Sequence, residues 1–409
     1  MYDWVVLWEW VEIAARWLHV ITAIAWIGSS FYFIALDLGL HRDRNLASGA
    51  DGEEWQVHGG GFYHIQKYLV APTSMPDHLV WFKWESYATW LSGFAMLVLV
   101  YYLGAELYLI DPTVLELSTG QAVAISLASL AFGWVAYTTL CKVFVNADQN
   151  LLMLALFVML VGMSWFYTQV FSGRAALLHL GAFTASIMSG NVFFVIMPNQ
   201  RIVVADLKAG RKPDPKYGKI AKQRSTHNNY LTLPVVFLML SNHYPLVFAT
   251  EYNWIIGSLV FLMGVTIRHW FNTRHARKGN PHWTWGVTVI LFLVIAWLST
   301  APMRLVEEAA LKGQALRLAG ADGFEEVVGI VQGRCSMCHA AEPGWEGLHW
   351  PPKGVVLETE TQIAHEAKRI YLQSGITHAM PPGNLSYMEP EERAAIVRWF
   401  RSVGLDNPV

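Results

Sequence analysis

WLHVITAIAWIGSSFYFIAL, residues Trp17–Leu36, runs for twenty residues without one charged side chain. Twenty residues of α-helix rise about 30 Å, the thickness of a bilayer's hydrocarbon core, where the backbone must satisfy its own polar groups. The run therefore predicts a membrane-spanning helix within an apolar stretch from Trp10 to Leu38. Seven more stretches of this kind follow, near Leu79–Leu103, Gln121–Val143, Leu151–Phe171, Ala175–Met197, Asn229–Phe248, Trp254–Asn272 and Trp283–Ala301. Composition agrees, since the 409 residues are 54% hydrophobic and only 15% charged, against ~25% charged in soluble domains. The expectation is an all-α chain in which residues 1–303 form an eight-helix transmembrane bundle.

Charge sets the orientation. Arg42, Arg44 and Lys67 follow the first span, the run Arg201–Arg224 follows the fifth, and Arg274, Arg277 and Lys278 follow the seventh, whereas the alternate loops are nearly free of Lys and Arg apart from Arg174. The positive-inside rule then puts both termini outside the cytoplasm, in the periplasm of a bacterial inner-membrane protein. The first span is led by Asp3, Glu9 and Glu12 rather than by a basic segment with a cleavage site, so it is expected to be retained. The basic run Arg201–Arg224 reads as an orientation signal and surface linker. With a net charge of −2 there is no global basic field, which excludes nucleic acid as a partner.

Three cysteines occur. Cys141 lies in an apolar stretch and reads as a small buried hydrophobe, whereas Cys335 and Cys338 belong to Cys335-Ser336-Met337-Cys338-His339, the C-x-x-C-H pattern of c-type haem attachment. The two thiols sit one helical turn apart and can reach one edge of a porphyrin, while His339 can ligate the iron. In "GITHAMPPGN" (Gly375–Asn384), Met380 stands before two helix-breaking prolines and reads as the second iron ligand; Met388 is its rival. A thioether ligand raises the reduction potential, which suits an electron acceptor. Zinc would need a second ligand pair, and a thioredoxin-like pair would need a βαβ setting; neither is present. Helices are expected over 323–333 and 389–403, so residues 320–409 read as a class I-like cytochrome c domain joined by a linker, 304–319.

Ionisable residues at membrane depth are functional candidates. His19 and His179 lie at matching depths in the first and fifth spans, in similar surroundings, which raises the idea of two related four-helix halves. They are the first choice to ligate a haem b, against the plainer reading that each hydrogen-bonds a neighbouring helix. On the cytoplasmic side the loop Glu53–Tyr87, "EEWQVHGGGFYHIQKYLVAPTSMPDHLVWFKWESY", is too aromatic for disorder. With His227–Tyr230 and Arg268, His269 and Asn272 it offers stacking faces and donors for a flat polar heterocycle, against an interfacial aromatic belt. Candidate acid–base residues there are His64, His269 and Glu85.

The blocks "WLHVITAIAWIGSSFYFIALD", "VHGGGFYHIQKYLVAP", "WFKWESYATWLSG" and "HNNYLTLPVVFLMLSNHYP", with "CSMCH" and "MPPGN", resemble the bacterial membrane-bound urate oxidases fused to a cytochrome c domain. The resemblance implies oxidation of urate, or a similar planar purine, to 5-hydroxyisourate, with electrons leaving through cytochrome c rather than forming peroxide. The expected acceptor is a soluble cytochrome c or terminal oxidase. The competing readings are a respiratory electron-transfer subunit such as a quinol:cytochrome c oxidoreductase, and a transporter with a redox-gated appendage.

Overall fold

The computed structural model describes residues 4–42, 45–69, 72, 76–145, 148–300, 311–346, 348 and 350–403. Arg44 and residues 301–310, which include part of the expected linker, lie outside them. The chain opens with α1 (Trp4–Gly39), then β1 (Ala50–His58) and β2 (Gly61–Tyr68). Helix α2 (Trp84–Met96) runs through a π-helical turn at Leu97–Tyr102 towards the short α3 (Ala105–Tyr108), and is followed by α4 (Thr119–Val143) and α5 (Gln149–Thr168). Helix α6 (Gly173–Gly190) passes through a second π turn, Asn191–Ile196, into α7 (Met197–Lys208), and α8 (Pro215–Ser241), α9 (Pro245–Phe248), α10 (Asn253–His275) and α11 (Trp283–Ser299) complete the bundle. Five of these helical stretches, Val6–Gly39, Thr119–Val143, Gln149–Thr168, Gly173–Lys208 and Asn253–His275, are long and apolar enough to cross a membrane; Trp283–Ser299 is apolar but shorter.

Local chemistry sets where the helices start. Ser118 accepts from the Gln121 backbone N–H while the Gln121 side chain accepts from the Ser118 N–H, a reciprocal cap that opens α4. Asp148, Ser172 and Asp214 cap α5, α6 and α8 in the same sense. Helix α8 begins well ahead of the apolar stretch expected from Asn229, and α6 and α7 form one rod, so the basic run shrinks to a short connection between Lys208 and Pro215.

Helices approach closely where one presents a glycine. A Cβ at Gly264 of α10 would lie 2.4 Å from Pro234 Cδ of α8, one at Gly133 would lie 2.4 Å from the Phe183 ring, and one at Gly190 would lie 2.5 Å from Trp134. Small residues at crossings are what allows apolar helices to pack in lipid. Buried hydroxyls pair across other contacts of α4, Tyr102 of the first π turn with Ser126 and Ser129 with Tyr167 of α5, each at 2.8 Å.

The expectation of an all-α chain is corrected: the fold is mostly helical with one two-stranded antiparallel sheet. The strands pair Trp55 with His64 and His58 with Gly61. Gly59 (φ +59°) and Gly60 (φ +80°) form the two-residue turn between them, and positive φ at both positions is what a tight hairpin of this twist requires. The hairpin is fastened to the end of α1. Tyr32 donates to Gln56 at 2.8 Å, Lys67 pairs with Asp37, and the His41 and Glu53 backbones exchange hydrogen bonds of 2.8 and 3.0 Å.

Residues beyond α11 build a separate apolar cluster from α12 (Gly313–Ala319), α13 (Phe324–Arg334), α14 (Ser336–His339), α15 (Glu360–His365), α16 (Ala367–Ile370), a π turn at Tyr371–Ile376 and α17 (Pro390–Ser402). Trp399 anchors it, stacked on Phe324 and donating from Nε1 to the Leu318 carbonyl at 2.9 Å. This C-terminal unit sits at the bundle end opposite the hairpin. Lys368 faces Glu9 at 3.7 Å, Lys312 pairs with Glu116 at 2.5 Å, Arg369 lies over the Tyr108 ring and Gly354 abuts Pro245.

The glycine crossings make a specific prediction. Gly264→Ala drives its methyl into the Pro234 ring and should cost about 1–3 kcal/mol, lowering the thermal unfolding midpoint of the detergent-solubilised protein. Gly120→Ala, where a Cβ meets nothing within 4 Å, should leave the midpoint in place; equal midpoints for the two variants would contradict the packing described.

Candidate functional site

At the hairpin end, α8 and α10 bring an unusual set of polar side chains inside the bundle. Arg268, Asn229 and Asn272 are buried. Arg268 donates from Nη2 to Asn272 Oδ1 at 3.0 Å and from Nε to Asn229 Oδ1 at 3.3 Å, and Asn272 Nδ2 also donates to Asn229 at 2.9 Å. The guanidinium lies 3.9 Å from the centre of the Phe31 ring on α1. No carboxylate pairs with it among the described residues, and Asn229 Nδ2 is buried without a partner.

A second buried guanidinium stands one and a half turns earlier on α8. Arg224 covers the Tyr137 ring at 4.8 Å, and its Nε and Nη1 are sealed in without a hydrogen bond. Tyr137 lies 2.8 Å from His227 Nδ1 and accepts from Asn191 Nδ2 at 2.9 Å; Asn191 also donates to Asn228 Oδ1 at 2.9 Å. Asn191 occupies the first position of the second π turn, where the wider coil turns its side chain into the bundle, a setting common at functional sites. Arg224 is thus an interior residue, which corrects its assignment to a surface linker.

Acids and imidazoles stand around this cationic pair. Glu54 of β1 packs against Gly39 with Oε2 buried and unpartnered. His275 is the last residue of α10, its ring 6.5 Å from that of Phe271. Two buried cations with no carboxylate paired to them among the described residues, backed by amides and aromatic faces, could accept a planar anion.

The three residues expected to act as acid or base are dispersed. His64 stacks on Trp55 (centroids 4.2 Å, 9° between planes) and pairs with Glu53 at 2.8 Å on the hairpin. His269 is exposed beside Trp283, with Nδ1 3.4 Å from the Tyr230 hydroxyl. Glu85 stands in the first turn of α2 with Oε2 buried and unpartnered. No hydrogen bond or ion pair joins the three among the described residues. Sequence reasoning passed over Phe31, Glu54, Tyr137, Asn191, Arg224 and His275; only the proximity of Arg224 to "HNNY" hinted at any of them.

The two membrane histidines also differ. His179 is fully buried, with Nδ1 2.8 Å from the Ala175 carbonyl and Nε2 2.9 Å from Ser126 Oγ, so both ring nitrogens are used in helix packing. His19 uses only Nδ1, towards the Thr89 carbonyl (3.1 Å) and Ser92 Oγ (3.2 Å).

In the C-terminal unit the residues present fit a covalently attached iron porphyrin. The Cys338 and His339 backbone N–H groups both donate to the Cys335 carbonyl, at 3.1 and 2.9 Å, so two thiols and an imidazole share one turn. Burial pushes the Cys335 thiol up to about 12, with Cys338 adding to the effect. His339 Nδ1 donates to the Val355 carbonyl at 2.9 Å, which fixes the ring and leaves Nε2 as the ligating atom. Buried Arg393 ties down the strap by donating to the Ser374 and Met380 carbonyls, at 2.6 and 2.9 Å. Met380 is half-buried, whereas Met388 is 3% exposed in the unit's own apolar cluster, which leaves Met380 as the available thioether. Among the described residues no group of three or more His, Cys, Asp or Glu side chains could hold a bare metal ion.

Compared with known proteins, the chain matches one family model, described as Urate oxidase N-terminal, over residues 5–299. That range contains the hairpin, both buried arginines and every bundle helix through α11. No curated protein and no solved structure matches it.

Asn229 is the hinge of the cationic cluster, because its Oδ1 serves both Arg268 and Asn272. Asn229→Leu leaves two buried donors unmatched, one of them charged, at a cost of about 1–3 kcal/mol. The unfolding midpoint should fall; an unchanged midpoint would mean that Arg268 is satisfied by other groups.

Proposed function

Because the chain belongs to the urate oxidase N-terminal family, we propose that it is a membrane-bound oxidoreductase that converts urate to 5-hydroxyisourate and passes the electrons to its own cytochrome c domain instead of to oxygen. In this reading residues 1–303 cross the inner membrane eight times, residues 304–319 link them to the periplasm, and residues 320–409 are the cytochrome. The hairpin end faces the cytoplasm, where purine breakdown supplies substrate. Supporting the membrane assignment are the five long apolar helices and the segregation of Lys and Arg to one side.

The observation that carries the substrate assignment is the buried, carboxylate-free guanidinium of Arg268, held by Asn229 and Asn272 over Phe31. Urate is a planar monoanion at neutral pH. Arg268 and Arg224 would neutralise its charge, the unpartnered Asn229 Nδ2 would donate to a ring carbonyl, and aromatic faces would set its plane. The chemistry adds water oxygen at C5 and releases two electrons and two protons: urate and water give 5-hydroxyisourate. His275, at the end of α10, and Glu54, whose Oε2 is buried without a partner, would accept the protons. His64, His269 and Glu85 remain candidates for relaying protons to the cytoplasmic surface.

Cys335, Cys338, His339 and Met380 would hold the haem c. When bound, that group supplies a one-electron acceptor whose potential the Met380 thioether raises. The chain itself holds the His339 ring by Val355 and the Met380 strap by Arg393. From there electrons leave to a soluble cytochrome c or terminal oxidase.

Anaerobic addition of urate to isolated membranes should reduce the c-type absorbance band, and product formed in ¹⁸O-water should carry the label without peroxide appearing. Reduction by quinol but not by urate would instead identify a respiratory electron-transfer subunit. Arg268→Met, which keeps the bulk and deletes the charge, should raise the KM for urate by about 10²-fold, the worth of a desolvated charge-assisted pair of about 3 kcal/mol. An unchanged KM would remove Arg268 from the substrate site.

A further inference from the structure

At the end opposite the hairpin, α1, α2, α6 and α8 line a partly open cavity of about 290 Å³. Its walls are apolar, and small side chains such as Gly93, Ala182 and Ala185 flatten them. Polar groups gather mainly where the cavity approaches the C-terminal unit: Arg16, His19, Arg174 and Asn242.

His19 is held as a ligand would be. Its Nδ1 faces the Thr89 carbonyl, which can only accept, so Nδ1 carries the proton and the Nε2 lone pair is free. His339 is fixed to Val355 in the same way, and haem-ligating imidazoles are generally oriented by such a second contact. Glycine at 93 is what admits the ring, because a Cβ there would stand 2.7 Å from His19 Cε1.

The charge at the rim needs an anion. Arg174 has Nε buried without a partner, and no carboxylate pairs with it among the described residues; Arg16 likewise makes no salt bridge among them, and Glu12, one turn earlier on α1, compensates it in part. A neutral quinone head would leave this excess positive charge standing at the edge of an apolar cavity, whereas a flat apolar ring carrying two carboxylates would neutralise it.

We propose that this cavity binds a second, non-covalent iron porphyrin of the b type, with His19 as an axial ligand and Arg16 and Arg174 paired with its propionates. The other soft donors on the wall are the thioethers of Met96, Met188 and Met239. His179 is not part of the cavity wall, so the expected His19–His179 pair is replaced by His19 alone. The rim is continuous with the C-terminal unit through one ring: Arg174 and Arg369 lie 5.0 and 5.2 Å from the centre of Tyr108. On the urate-to-cytochrome reading, the ferric iron takes one electron to become ferrous and returns it to the ferric haem c, twice for each urate. The binding of the haem does not depend on that reading.

The test uses the purified full-length holoprotein. Acidified acetone removes haem b and leaves the thioether-linked haem c, and the pyridine haemochrome of each fraction should show one b and one c per chain. His19→Gly should lose the extractable haem and keep the c-type band, and added imidazole should restore the lost absorbance. Gly93→Val should lose it as well, and His179→Ala should keep it. Wild-type protein holding haem c with no extractable haem, whether or not quinone or phospholipid co-purifies, would overturn the proposal, as would a His19→Gly variant retaining its b band. Extractable haem b in protein that urate fails to reduce would sink the urate reading and leave this site standing.

Discussion

A guanidinium in an apolar helix bundle cannot be left to water. Moving a charge into low dielectric costs several kcal/mol unless hydrogen bonds, a counter-charge or a polarisable face offset it. The hairpin end of this protein is arranged around that constraint. Arg268 is met by two asparagines and a phenylalanine face, Arg224 by a tyrosine face, and neither by a carboxylate among the described residues. Amides and aromatic rings soften the cost without cancelling the charge, so the bundle holds two sites that an anion would complete.

The rest of the architecture serves to keep those side chains in place. Gly264 lets α10 press against α8 at Pro234, which brings Arg268 alongside Asn229 one turn and a half further along. The second π turn sets Asn191 between Tyr137 and Asn228. The hairpin, fastened by Tyr32, Asp37 and His41, places Glu54 over the end of α1. At the other end the same logic recurs with Arg16 and Arg174, and the C-terminal unit docks by charges and a shared aromatic ring. Buried or half-buried arginines thus stand at both ends of the bundle, and the unit that carries Cys335 and Cys338 packs against the second.

Much of the helical architecture was legible because a run of about twenty apolar residues, the length of a bilayer crossing, is a simple local signal for a long helix. The helices appear where uncharged runs occur, and the departures have physical causes. Helix α8 starts early because Asp214 and Pro215 nucleate it and polar residues are tolerated where it leaves the apolar layer. The hairpin departs from the loop expected there, although Gly59-Gly60 between two aromatic stretches is a tight-turn signal, because strand pairing depends on a partner stretch that no single run of residues displays. Cys335, Cys338 and His339 are legible as a unit because they lie within five consecutive residues, and one helical turn brings them together.

The sequence by itself determined the apolar periodicity, the segregation of basic loops and the C-x-x-C-H turn, since each is written in neighbouring residues. Only the tertiary structure decided which ionisable groups meet. It set Arg224 inside rather than on the surface, consumed both nitrogens of His179 in helix packing, left one nitrogen of His19 free beside a cavity, and scattered His64, His269 and Glu85. Those outcomes depend on helix rotation and crossing, where contacts between residues as much as two hundred positions apart decide what a side chain faces, and no local pattern encodes that.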